Sequence, residues 1–141
     1  MGAYSDLKRY LDREGLYYEE DVLNDGEKYL RLQQEIDNGE PLSIIFSFSD
    51  EEDQINIYVL NIAKITDSSK RGELYNILNK MNDEYNYWKF VASNNGEVSA
   101  KYNIKVGYGT DYDTVLFPVR ALVFLIIEKD LRKPLMRLQW A

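Results

Sequence analysis

Across RGELYNILNKMNDEYNYWKFVASNNGEVSAKYNI, residues 71–104, the hydrophobic period of the chain changes from that of a helix to that of a strand. Leu74, Ile77, Leu78, Met81 and Tyr85 recur at intervals of three and four, so they form one apolar stripe of a helix. Ser68 or Ser69 is placed to cap that helix, and Glu73 falls in its first turn, where a carboxylate complements the helix dipole. WKFVA then returns to extended chain and SNNG turns it. Beyond the turn Val98, Ala100, Tyr102, Ile104 and Val106 alternate with Ser99, Lys101, Asn103 and Lys105, which predicts a strand with one dry and one wet side.

The rest of the chain extends this pattern on both sides. Tyr4, Leu7 and Leu11 share one face of a short amphipathic helix over residues 3–14, which Gly15 ends. Residues 16–25 are polar and acidic and close on NDG, a turn signal. Three strand signals follow. EKYLRLQQEI places Leu30, Leu32 and Ile36 on one side before DNGEP breaks it, and LSIIFSFS alternates Leu42, Ile44, Phe46 and Phe48 with Ser43, Ile45, Ser47 and Ser49. After the acidic turn DEED, Ile55, Ile57 and Val59 share a face, whereas Leu60 and Ile62 fall on the other. That strand is therefore covered on both sides or carries a bulge that shifts its register.

GYGTDYD is read as a loop, and the last helix is predicted to start near Asp113 or Thr114, with Pro118 in its first turn. Pro134 marks a stop or a bend, leaving residues 134–141 as an extra turn or a C-terminal arm. The predicted order is α-β-β-β-α-β-β-α. A chain of 141 residues suits one domain, and helices segregated among runs of strands give an α+β class with an antiparallel sheet.

The residue types that are missing narrow the chemistry. There is no histidine, which removes the usual general base and the commonest transition-metal ligand, and no cysteine, which removes thiolate nucleophiles and Cys-bound zinc. No catalytic residue, metal or cofactor is expected. Asp50, Glu51, Glu52 and Asp53 could offer oxygen ligands to calcium, but consecutive residues of an extended chain point to opposite sides and the EF-hand spacing is absent, so a solvated hairpin tip is the better account. Glu19, Glu20 and Asp21 are treated in the same way. VGYGTDYD lacks both GxxxxGK[ST] and the third glycine of GxGxxG. Asp111 and Asp113 could form a two-carboxylate pair, yet one of them is placed to cap the last helix. Trp88 and Phe90 are assigned to the core between helix and sheet.

A net charge of −7 argues against binding nucleic acid through its phosphates, which needs a basic face. The charge is uneven: residues 1–67 hold 6 Lys and Arg against 16 Asp and Glu, and residues 68–141 hold 11 against 8. The twelve tyrosines accompany many Asn, Ile and Lys, a mixture that AT-rich coding produces without selection for tyrosine. No membrane span is expected, because the richest apolar run, VLFPVRALVFLII at 115–127, is short and contains Arg120. The N-terminus lacks the apolar stretch of a secretory signal, so the expected location is cytoplasmic.

The helix ending in ILNKMN (Ile77–Asn82), the aromatic and basic WKF, the hairpin NNGEV and the long final helix together resemble the YbjN-like family of bacterial proteins. That resemblance implies a sheet of about five antiparallel strands flanked by helices, a fold shared with the small chaperones of type III secretion. It also implies frequent homodimers and a role in binding other proteins, under a family label of sensory transduction or stress regulation. It brings no established catalytic residues.

The final helix suggests where binding would occur. Phe117, Val123, Phe124 and Ile127 belong to a helix that is apolar on nearly every side, and a single sheet covers only one of them. A second subunit is the natural cover for the other. The expected function is a non-enzymatic, dimeric, protein-binding domain with a chaperone-like or regulatory role. An acidic immunity or inhibitor protein that meets a basic toxin or nuclease is the alternative, motivated by the acidic first half.

Overall fold

The computed structural model describes residues 2–22, 26–35 and 41–140, the side chains of 128–130 excepted. Ile36, and the NDG and DNGEP turns apart from Gly26 and Pro41, lie outside the described residues. The elements run α1 (Ala3–Arg13), β1 (Glu19–Val22), β2 (Lys28–Gln34), β3 (Leu42–Phe48), β4 (Gln54–Lys64), a 3-10 turn at Ser68–Lys70 leading into α2 (Arg71–Glu84), β5 (Lys89–Ala92) and β6 (Glu97–Lys105). A last rod follows, built from α3 (Tyr112–Ala121), a π-helical segment (Leu122–Leu131) and α4 (Arg132–Trp140).

The strands form one antiparallel sheet in the order β1-β2-β3-β4-β6-β5. Its register aligns two apolar rows, Leu32–Ile44–Val59–Ala100–Phe90 and Leu30–Phe46–Ile57–Tyr102. The stripes of the helices, among them Leu7 and Leu11 of α1 and Leu74, Leu78 and Met81 of α2, join these rows in one core cluster. Because side chains alternate along a strand, the next row, Arg31–Ile45–Tyr58–Lys101–Lys89, lies on the opposite face.

The α+β class and antiparallel sheet are those the sequence predicts, with one strand more. Residues 19–22 were expected in a polar connection, and they form β1, pairing Glu19 with Arg31 through Val22 with Lys28. All four residues are exposed, so burial writes no alternation into them and only backbone pairing defines the strand. In β4 the bulge alternative holds. Val59 faces Ala100 and Ala63 faces Val98, so β4 carries extra residues, with Asn61 at φ 67° taking the left-handed conformation that asparagine tolerates.

The last helix differs more. Asp111 caps it by accepting the Asp113 N–H at 3.0 Å, so the helix begins at Tyr112 and Pro118 lies in its second turn rather than its first. Of the stop or bend expected at Pro134, a stop does not occur, since α4 runs through it. This proline lies within the continuous rod just beyond the π-helical segment, where the Arg132 N–H still donates to the Ile127 carbonyl, and Leu135 and Leu138 behind it are buried. The 134–141 segment therefore continues the rod as far as it is described.

Two polar clamps fix the ends of elements. Asn82, at the end of the helix–hairpin signature, accepts the Phe90 N–H at 2.6 Å and donates to the Phe90 carbonyl at 3.0 Å. Both backbone groups of Phe90 are thereby satisfied on the outer edge of β5, which hinders further strand addition there. Glu52, left-handed at φ 54°, accepts the Tyr4 N–H at 2.8 Å and caps α1 from 48 residues away, since Gly2 offers no side-chain cap. Glu52→Ala is expected to lower stability by about 1 kcal/mol, the ordinary value of an N-cap, measured by urea denaturation. Glu52→Gln, which keeps an acceptor oxygen, should lose less.

Candidate functional site

An apolar recess of about 540 Å³ lies between the β2–β3 end of the sheet and the last rod. Leu32, Ile44 and Phe46 supply the sheet side, and Leu116, Val119 and Val123 supply the rod side. Leu16 and Tyr17, in the connection after α1, stand at its mouth and are exposed. Strand alternation places Leu32, Ile44 and Phe46 on the same face, and helical spacing of three and four places Leu116, Val119 and Val123 opposite them. Neither half is a site alone.

Four charged side chains border the groove: Glu14, Glu19, Arg31 and Arg120. Arg31 and Glu19 are paired with each other at 2.9 Å. Arg120 donates to the Tyr10 hydroxyl at 2.9 Å, and that hydroxyl donates to the Asp113 carboxylate at 2.5 Å. Tyr10 is buried, and burial, followed by its bond to Asp113, holds the hydroxyl above its ordinary pKa. Tyr112, whose ring lies 6.3 Å from that of Tyr10, is pushed up to about 12, first by burial. The Tyr10 network thus ties α1 to α3 and stays protonated through the neutral range.

The predicted interface residues divide into two pairs. Val123 and Ile127 are 2% and 1% exposed and belong to the core of the chain itself, whereas Phe117 and Phe124 are 68% and 57% exposed. Leu125, 52% exposed, joins the outward set. The sheet and α1 cover one side of the rod, and the other side carries apolar groups into solvent. Phe124 also borders the groove, so the two surfaces meet at that residue.

Arg120 was noted in the sequence only as an interruption of an apolar run. A lone cation inside such a run is the signal that could have marked it as a rim residue. Leu125 carried no separate signal within an all-apolar stretch.

The other candidates have structural roles. Glu52 caps α1, and Asp53 accepts the Ser49 hydroxyl at 2.8 Å. Asp111 caps α3 while Asp113 is held by Tyr10, so the two carboxylates do not act on one point. Asp67, which accepts both the hydroxyl and the N–H of Ser69, is held below its ordinary pKa by those bonds. Trp88 and Phe90 are buried, and the Trp88 indole donates to the Pro118 carbonyl at 3.2 Å. Among the described residues no group of three or more carboxylates converges on a metal position, and no helix is long and apolar enough to cross a membrane.

No family model and no curated protein matches the sequence. A solved structure does: that of YbjN from E. coli, described there as a proposed transcription regulator, superposes with a TM-score of 0.63 over 96% of this chain and 90% of that one. The chain has the YbjN fold. At 16% identity the likeness concerns architecture, and it accords with the YbjN-like resemblance of the ILNKMN–WKF–NNGEV signature.

Proposed function

We propose that this protein is a non-enzymatic, protein-binding domain with a regulatory or chaperone-like role, and that it works as a homodimer joined through the outer face of its last rod. One observation carries the proposal: Phe117, Phe124 and Leu125 point outward from a rod whose other side is already packed, with Met136 and Trp140 exposed further along. Monomeric proteins seldom leave large apolar side chains clustered in water, and such a patch marks an interaction surface. The YbjN fold supports a regulatory setting, since the E. coli protein is described as a proposed regulator.

Light scattering coupled to size exclusion tests the dimer. The wild-type chain should run at twice its 16.6 kDa mass at micromolar concentration. Phe124→Asp, which places a carboxylate in the middle of the patch, should weaken association by about 100-fold or more. A wild-type chain that stays monomeric at high concentration, or a Phe124→Asp chain that associates as tightly as wild type, would contradict the proposed interface.

A further inference from the structure

We infer that the groove between the β2–β3 face and the last rod binds a small amphipathic acid: a single-chain aliphatic monocarboxylate whose head pairs with Arg120 and whose tail lies along Leu32, Ile44, Phe46, Leu116, Val119 and Val123. Its volume of about 540 Å³ falls in the range of small-molecule sites. Charge selects the head group. Arg31 is neutralised by Glu19, but Arg120 has no carboxylate within ion-pair distance among the described residues. Its guanidinium donates to the neutral Tyr10 hydroxyl, which anchors one end of the group and leaves other N–H donors for an anion.

The lining selects the tail. Gln33 and Gln34 border the groove at the end of β2, but the wall formed by the six apolar side chains offers no donors or acceptors, and an alkyl chain leaves nothing unpaired against it. Glu14 stands at the rim as the opposing charge. Phe124 borders both the groove and the outer face of the rod, so an occupant would touch the residue on which the proposed interface turns.

Calorimetric titration of the full chain with octanoate, decanoate and dodecanoate, each below its micellar concentration, tests the site. Affinity should rise about fourfold per added methylene. The matching alcohols should bind at least about tenfold more weakly, because they lack the charge-assisted bond. Arg120→Met should bring the acids down to the level of the alcohols, and Arg120→Lys should retain most of the difference. Arg120 also holds Tyr10, so a second variant leaves that bond alone: Leu32→Trp, which fills the groove, should abolish binding while the circular dichroism spectrum stays native. Glu14→Gln should tighten binding. Absence of binding by all three acids, alcohols that bind as well as acids, or an undiminished affinity in Leu32→Trp would each overturn the inference.

Discussion

Replacing Gly96 by alanine should destabilise the protein by more than about 3 kcal/mol, with the thermal midpoint falling by roughly 10 °C. Two independent effects combine at this position. Gly96 sits at φ 82°, which a residue with a Cβ adopts only at a penalty, and a Cβ added there would stand 1.9 Å from the Ile65 carbonyl oxygen. Neither side of that contact can yield easily. The Ile65 N–H donates to the Gly96 carbonyl at 2.9 Å, and the Arg71 guanidinium donates to the Asn94 carbonyl at 2.6 Å, so the hairpin tip is bound to the start of α2. Gly109→Ala is the control. Its φ of 80° is nearly the same, but nothing lies within 4 Å, so that substitution should cost only about 1 kcal/mol. Urea denaturation of the two variants separates backbone conformation from steric contact. Equal losses would show that the Ile65 contact is immaterial.

Asn82→Ala should have the next largest effect, a loss of about 2–3 kcal/mol together with a tendency to aggregate. The amide of Asn82 takes both the N–H and the carbonyl of Phe90, and alanine would leave both unpaired in a partly buried place at the sheet margin. Asn82→Asp dissects the clamp further. The carboxylate can still accept the Phe90 N–H, but it faces the Phe90 carbonyl without a proton to offer. It should therefore be no more stable than the alanine variant at neutral pH. Equilibrium unfolding and turbidity at elevated concentration report the two consequences, and an Asn82→Ala chain within about 0.5 kcal/mol of wild type would dismiss the role of the clamp.

Much of this architecture is legible in the chain, and the failures have identifiable causes. The stripe from Leu74 to Met81 and the alternation from Val98 to Ile104 each come from one face of one element meeting one core, so periodicity recovers both. The mixed face of β4 was legible as a choice between double cover and a bulge, and Asn61 resolves it by its left-handed backbone. Strand β1 is hidden because it buries no side chain. The two prolines of the rod mislead because a proline reports only that one N–H is missing. Whether that N–H would have been needed depends on the hydrogen-bond pattern around it, which Asp111 and the π-helical segment set. The groove is the least legible feature. Its walls come from β2, β3 and the last rod, and each contributes residues whose spacing says only that they are buried. Of the proposed interface, Phe117 and Phe124 were identified in sequence together with Val123 and Ile127, because a helix apolar all round gives no angular information about which side the protein itself will cover.

The attachments of α1 have a consequence for how the molecule assembles. Its cap comes from Glu52, and Tyr10 in its last turn is tied to Asp113 and Arg120, 103 and 110 residues further along. The seat of α1 is thus complete only when segments 48, 103 and 110 residues further along are in place. Pairings so distant in sequence form late on a folding trajectory. Loss of the Tyr10 hydroxyl should consequently speed the escape of the native state and leave its rate of formation almost untouched.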